Sequence, residues 1–136
     1  MKSKGIAAGG ILLKMLLQNG IETVHGSPSK PGDIIVPPNV IIEIHDPKEN
    51  SYSFKQHSGK GEAQWKALRE KKERFPWLEI FYVVRFNRKE WRYFPFPSNT
   101  YPLRLKDGIT LDNLFSFLEE RQDRFAVTIG ADMYRN

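Results

Sequence analysis

Two β-branched runs, IIV at residues 34–36 and VIIEI at residues 40–44, stand on either side of Pro37-Pro38-Asn39. Short runs of this composition favour extended backbone, and a proline offers no donor to a β-ladder. Three residues can serve as a tight connection, so the stretch reads as an antiparallel pair. If Val36 faces Val40, counting outward brings Asp33 opposite Glu43, with side-chain bases about 5 Å apart. His45, two residues past Glu43, projects from the same face.

Two carboxylates that close repel unless one is protonated or a cation lies between them. A hard divalent ion such as magnesium or manganese takes oxygen ligands and keeps several waters in its shell. The same spacing also describes an edge hairpin whose acids are simply solvated, and spacing alone does not separate the two readings.

A chain of 136 residues with 40% hydrophobic content suits a single domain over 1–136, with a modest core over about 4–121 and a tail, 122–136, of unassigned role. The absence of cysteine excludes disulfides, thiolate metal sites and a cysteine nucleophile, and is the usage of a reducing compartment. Residues 11–17 are apolar but are interrupted by Lys14 and too short to span a bilayer, and the N-terminus lacks a cleavage-site pattern. The expectation is a soluble, intracellular, cytoplasmic protein with no membrane partner.

The order of elements reads as α/β. Ile11, Leu12, Met15 and Leu16 have helical spacing and Asn19-Gly20 is a stop, which predicts a helix over 5–19. A strand follows from 21 to 24, then a Gly, Pro and Ser loop over 25–32 and the paired runs described above. Residues 46–61 read as loop, and residues 62–74 as a second helix ended by Pro76. Residues 80–86 and 91–96 form a hairpin, and a third helix runs from 111 to 121 behind Thr110.

The formal net charge is +5, and residues 66–92 alone hold nine basic residues against four acids, the same excess. Trp65, Trp77, Trp91 and Tyr93 lie in or beside that segment. A solvated face and a phosphate-binding face are both compatible with such a run.

The order helix, strand, HGSPSKPGD loop, IIV, turn, IIEIH, loop, helix with Gln64, and the FNRKEWRYFP hairpin resembles the archaeal-type Holliday-junction resolvases of the PD-(D/E)XK nuclease superfamily, over roughly residues 4–97. The resemblance implies a central mixed β-sheet flanked by helices, the restriction-endonuclease-like core. It implies that Asp33, Glu43 and the carbonyl of Ile44 bind Mg2+, with Mn2+ able to substitute. It also implies that Ser29 and Gln64 lie at the catalytic centre, and that the protein is a homodimer acting on branched DNA. Lys30, Lys48, Lys55, Lys60, Arg85, Arg88, Lys89 and Arg92 are the basic residues expected to meet the DNA backbone. Trp77, Trp91, Phe94 and Phe96 are candidates for the apolar part of a dimer interface.

Two positions depart from the family pattern. Where its motif ends in a lysine the chain has His45, which as a base or water-positioning group would make activity pH-dependent near neutrality. Where its first helix has a glutamate, near Ile11, residues 1–20 contain no acid at all. The expected function is a divalent-metal-dependent endonuclease resolving four-way junctions; the alternative is a branched-DNA-binding protein of the same fold with impaired catalysis.

Overall fold

The computed structural model describes residues 4–25 and 34–133, with 4–7, 25, 56–58 and 126–133 in backbone only. Helix α1 (Lys4–Gln18) ends as its Asn-Gly stop requires. Gly20 takes a φ of +74°, its N–H donates to Leu17 O at 2.9 Å, and the Ile21 N–H donates to Leu16 O at 2.9 Å. This is the Schellman arrangement, with its customary apolar contact between Ile21 and Leu16, both buried. Ile21 is thereby drawn into the helix terminus, so the strand expected over 21–24 is reduced to β1 (Val24–His25).

Strands β2 (Ile34–Val36) and β3 (Val40–His45) pair antiparallel in the register counted from the sequence, Val36 with Val40 and Ile34 with Ile42. Helix α2 (Gln56–Arg74) then carries the chain back, so that β5 (Glu79–Phe86) lies parallel to β3, from Val40 beside Glu79 to His45 beside Val84. Its antiparallel partner β6 (Glu90–Pro95) completes a mixed sheet of order β1-β2-β3-β5-β6. The intervening β4 (Ser51–Tyr52) pairs with β7 (Leu103–Arg104) in a separate two-stranded ribbon.

Alternation along β3 and β5 divides the core into two layers. Ile42, Ile44 and Val83 pack with Leu12 and Leu16 of α1 and with Leu114 and Leu118 of α3 (Leu111–Met133). Tyr82, Val84 and Phe86 pack on the other face with Trp65 and Leu68 of α2, with Tyr52 and Phe54, and with Leu103. The helix expected to end at 121 runs on to Met133, through most of the span read as a tail. Gln122 is a tie point: its side chain accepts from Glu22 N–H at 2.8 Å and donates to Glu22 O at 2.8 Å and Pro37 O at 2.9 Å.

Helix α2 begins six residues before the position expected. Gly59 and Gly61 read as loop, but Gly61 is needed inside the helix because a methyl group there would collide with Tyr52 Oη and the carbonyl of Phe54. Among the described residues, no helix is long and apolar enough to cross a membrane.

Candidate active site

Glu43, one pair beyond the last register contact of β2, is 3% exposed and lies on the α2 face of the sheet. A carboxylate is strongly disfavoured at such a place unless a proton, a donor or a cation meets it, so solubility does not explain its position. His45 follows on the same face, its Nε2 3.6 Å from Glu43 Oε2 and its side chain 17% exposed. The imidazole lies flat on Tyr52, with ring centroids 4.0 Å apart and planes 18° from parallel, and more loosely on Tyr82 at 5.6 Å and 28°.

Burial lowers the His45 pKa from 6.5 to about 3, so the ring is neutral near pH 7 and its approach to Glu43 is a polar contact rather than an ion pair. The expected titration of His45 near neutrality is thereby corrected: the aromatic clamp removes the water that an imidazolium needs. Burial, and after it the Glu43 carboxylate, drive the Tyr52 phenol far above its ordinary range, so Tyr52 stays protonated.

His45, Asp46, Tyr52, Ser53, Lys60 and Gln64 line a cleft of about 320 Å³ between the end of β3 and the first half of α2. Two of the sequence candidates, Gln64 and Lys60, are therefore brought to His45 by a helix starting some 11 residues after it. Lys48 and Lys55 are exposed and stand outside the cleft lining. Asp33, Ser29 and Lys30 lie outside the described residues, and no group of three acidic, histidine or cysteine side chains able to hold a metal occurs among those described.

Of the basic residues expected to face a phosphate backbone, Arg85 is otherwise engaged. Its Nε and Nη2 donate to Asp46 Oδ1 and Oδ2 at 2.9 and 2.7 Å, the side chains are 13% and 2% exposed, and the guanidinium also lies over Trp91. The Asp46 carboxylate raises the Arg85 pKa further, against the opposing effect of burial. Asp46 and Tyr52 were not legible as site-shaping residues, since an Asp-Pro pair and an isolated tyrosine in a polar stretch read as loop.

Arg88 and Lys89 occupy the tip of the β5–β6 hairpin, where Asn87 and Arg88 have φ of 53° and 56° and the Lys89 N–H donates to Phe86 O at 3.0 Å. Asparagine suits this left-handed turn; arginine there costs about 1 kcal/mol. Arg88 Nε is buried with no hydrogen-bond partner among the described residues. Because β3 and β5 run parallel, this tip extends past the same end of the sheet as His45, and the Asn87 N–H donates to Glu49 O at 3.2 Å. Arg92 is half-buried and bonds the carbonyl of Trp91 at 2.7 Å.

The basic segment 66–92 is thus not one face. Lys71, Lys72 and Arg74 lie in the last turn of α2, at the far end of the sheet, where Lys72 Nζ caps Leu78 O at 2.7 Å. Of the aromatic residues considered for a dimer interface, Trp77 is 63% exposed, whereas Phe94 is buried, Phe96 stacks on Trp65 and Trp91 packs against the α1 layer. In α1, Ile11, at the position where the resembled resolvases have a glutamate, is 40% exposed.

The fold is similar to that of Hjc from Archaeoglobus fulgidus, a Holliday junction resolvase from an archaeal hyperthermophile, with a TM-score of 0.60 and 17% sequence identity over 84% of this chain and 97% of that one. The likeness is one of fold: a restriction-endonuclease-like sheet with its flanking helices. No protein-family model matches the chain, and no curated protein sequence matches it.

Proposed function

We propose that the chain is a divalent-metal-dependent, structure-specific DNA endonuclease that acts on four-way junctions as a homodimer, two copies being what paired cleavage of a symmetric junction requires. The observation that carries this reading is the buried Glu43–His45 pair at one end of a resolvase-like sheet, with a polar cleft beside it and a basic hairpin tip extending past the same end.

The residues fit a metal in part: the buried Glu43 carboxylate stands 3.6 Å from the buried Nε2 of His45, and that nitrogen has no hydrogen-bond partner among the described residues. Glu43, Asp33 and the Ile44 carbonyl would hold the ion, Mg2+ or Mn2+. When bound, such an ion polarises a phosphate and makes a water a better nucleophile. The chain's own part is to hold Glu43 in a dry wall, to orient His45 between two tyrosines and to present Gln64 and Lys60 to a phosphate entering the cleft. Arg88 and Lys89 would track the backbone beyond the cleft, and Ser29 and Lys30 would approach the scissile strand.

A second reading, a junction-binding protein without cleavage, is favoured by the neutral His45 and by the lack of an acid in α1. Incubation with a labelled four-way junction and matched linear duplex, with magnesium, manganese or chelator, separates the two. Paired nicks in the junction, absent with chelator and lost in Glu43→Gln while binding persists, are expected. Tight junction binding with no nick under any ion would establish the second reading instead.

A further inference from the structure

His45 Nε2 is buried, has no hydrogen-bond partner among the described residues and stands 3.6 Å from Glu43 Oε2. A neutral imidazole has one bare ring nitrogen, an acceptor that wants a proton donor or a metal. The ring is held against rotation by its stack on Tyr52, and Tyr52 is itself lodged against the α2 backbone at Gly61. One ion can touch both atoms, because twice a metal–ligand bond of about 2.0–2.2 Å exceeds their separation.

We infer that His45 is itself a metal ligand beside Glu43, so that the site takes a first-row transition ion, with manganese as the probe, in preference to magnesium. The inference rests on the nuclease reading for its placement of a cation at Glu43. An ammonium at position 45, as in the resembling family, has no lone pair to offer a metal, whereas imidazole favours transition ions over magnesium, which prefers oxygen ligands and near-ideal octahedral geometry.

The test uses the metal-free protein titrated with Mn2+ or Mg2+ by calorimetry, together with electron spin echo spectroscopy of the Mn2+ form, which detects a coordinated nitrogen. The expected result is nitrogen modulation in the parent and tighter binding of manganese than magnesium. His45→Phe keeps an aromatic ring for the stack on Tyr52 and removes the nitrogen. It should lose the modulation and weaken manganese binding by at least about tenfold, with little change for magnesium.

A thermal melt confirms that this variant is folded, and His45→Leu provides a second variant without any side-chain nitrogen or oxygen if it is not. Manganese bound without nitrogen modulation, or modulation that survives in His45→Phe and so comes from another histidine, overturns the inference. If Glu43→Gln abolishes metal binding while His45→Phe leaves it unchanged, His45 ligation fails and the nuclease reading stands. If no metal binds the parent, both fall.

Discussion

The Asp46–Arg85 pair joins the residue after His45 to the neighbouring strand, and its removal has a calculable effect. Its two hydrogen bonds, 2.7 and 2.9 Å long, join side chains that are 2% and 13% exposed. Deleting one partner of so buried a pair leaves an uncompensated charge and costs about 3–5 kcal/mol. Asp46→Asn strands the guanidinium; Arg85→Met strands the carboxylate but keeps the packing under Trp91. Each single variant should therefore lower the unfolding free energy by about 3 kcal/mol or more, a fall in Tm of about 10 °C for a chain of this size. The double variant strands neither charge. It should be less damaged than the two singles added together, with a coupling of about 2–3 kcal/mol. Urea unfolding of the parent, both singles and the double provides the cycle. Strict additivity, within about 0.5 kcal/mol, would refute the assignment of the pair as a buried structural tie.

Two further outcomes follow from the same geometry. In the metal-free protein His45 has a folded pKa of about 3 against an ordinary 6.5, so between those values the unfolded chain binds a proton that the folded one does not. Stability should then fall as pH is lowered through that window, by up to about 1.4 kcal/mol per unit, and His45→Phe should flatten the urea-unfolding profile by that slope; parallel profiles would contradict the buried neutral ring. Gly61→Ala should cost about 1–3 kcal/mol, since the new methyl meets Tyr52 Oη and backbone of Phe54 rather than a side chain able to swing away; a melt unchanged from the parent would count against that contact.

Much of the sheet was legible because its signals are local. The β-branched runs at 34–36 and 40–44 gave the β2–β3 register, and Asn19-Gly20 and Pro76 placed two helix ends within a residue or two. What escaped is non-local. β4 and β7 are two residues each and about fifty residues apart, so neither has a pattern until the other lies beside it. The early start of α2 was hidden by glycines present for a tertiary contact. At the candidate site, spacing placed Glu43 and His45 on one face, as the structure has them, whereas the stack of Tyr52 on His45 comes from that same two-residue strand. The basic segment does not make one face because a 19-residue helix carries its last turn to the opposite end of the sheet from its first.

The outer edge of β6 is interrupted by the chain on its way into α3: Tyr93 and Ile109 exchange hydrogen bonds of 2.8 and 3.0 Å, and Gly108 is pressed so closely on Arg92 that a side chain would not fit. A bare strand edge of this length, rich in aromatic residues, is a template on which further copies can stack without limit. The crossing segment occupies the middle of that template and divides what remains into pieces too short to recruit a new strand. A glycine that lines no part of the cleft thus holds the covering segment in place, and a bulky residue at position 108 would push it off the edge and lay that edge bare.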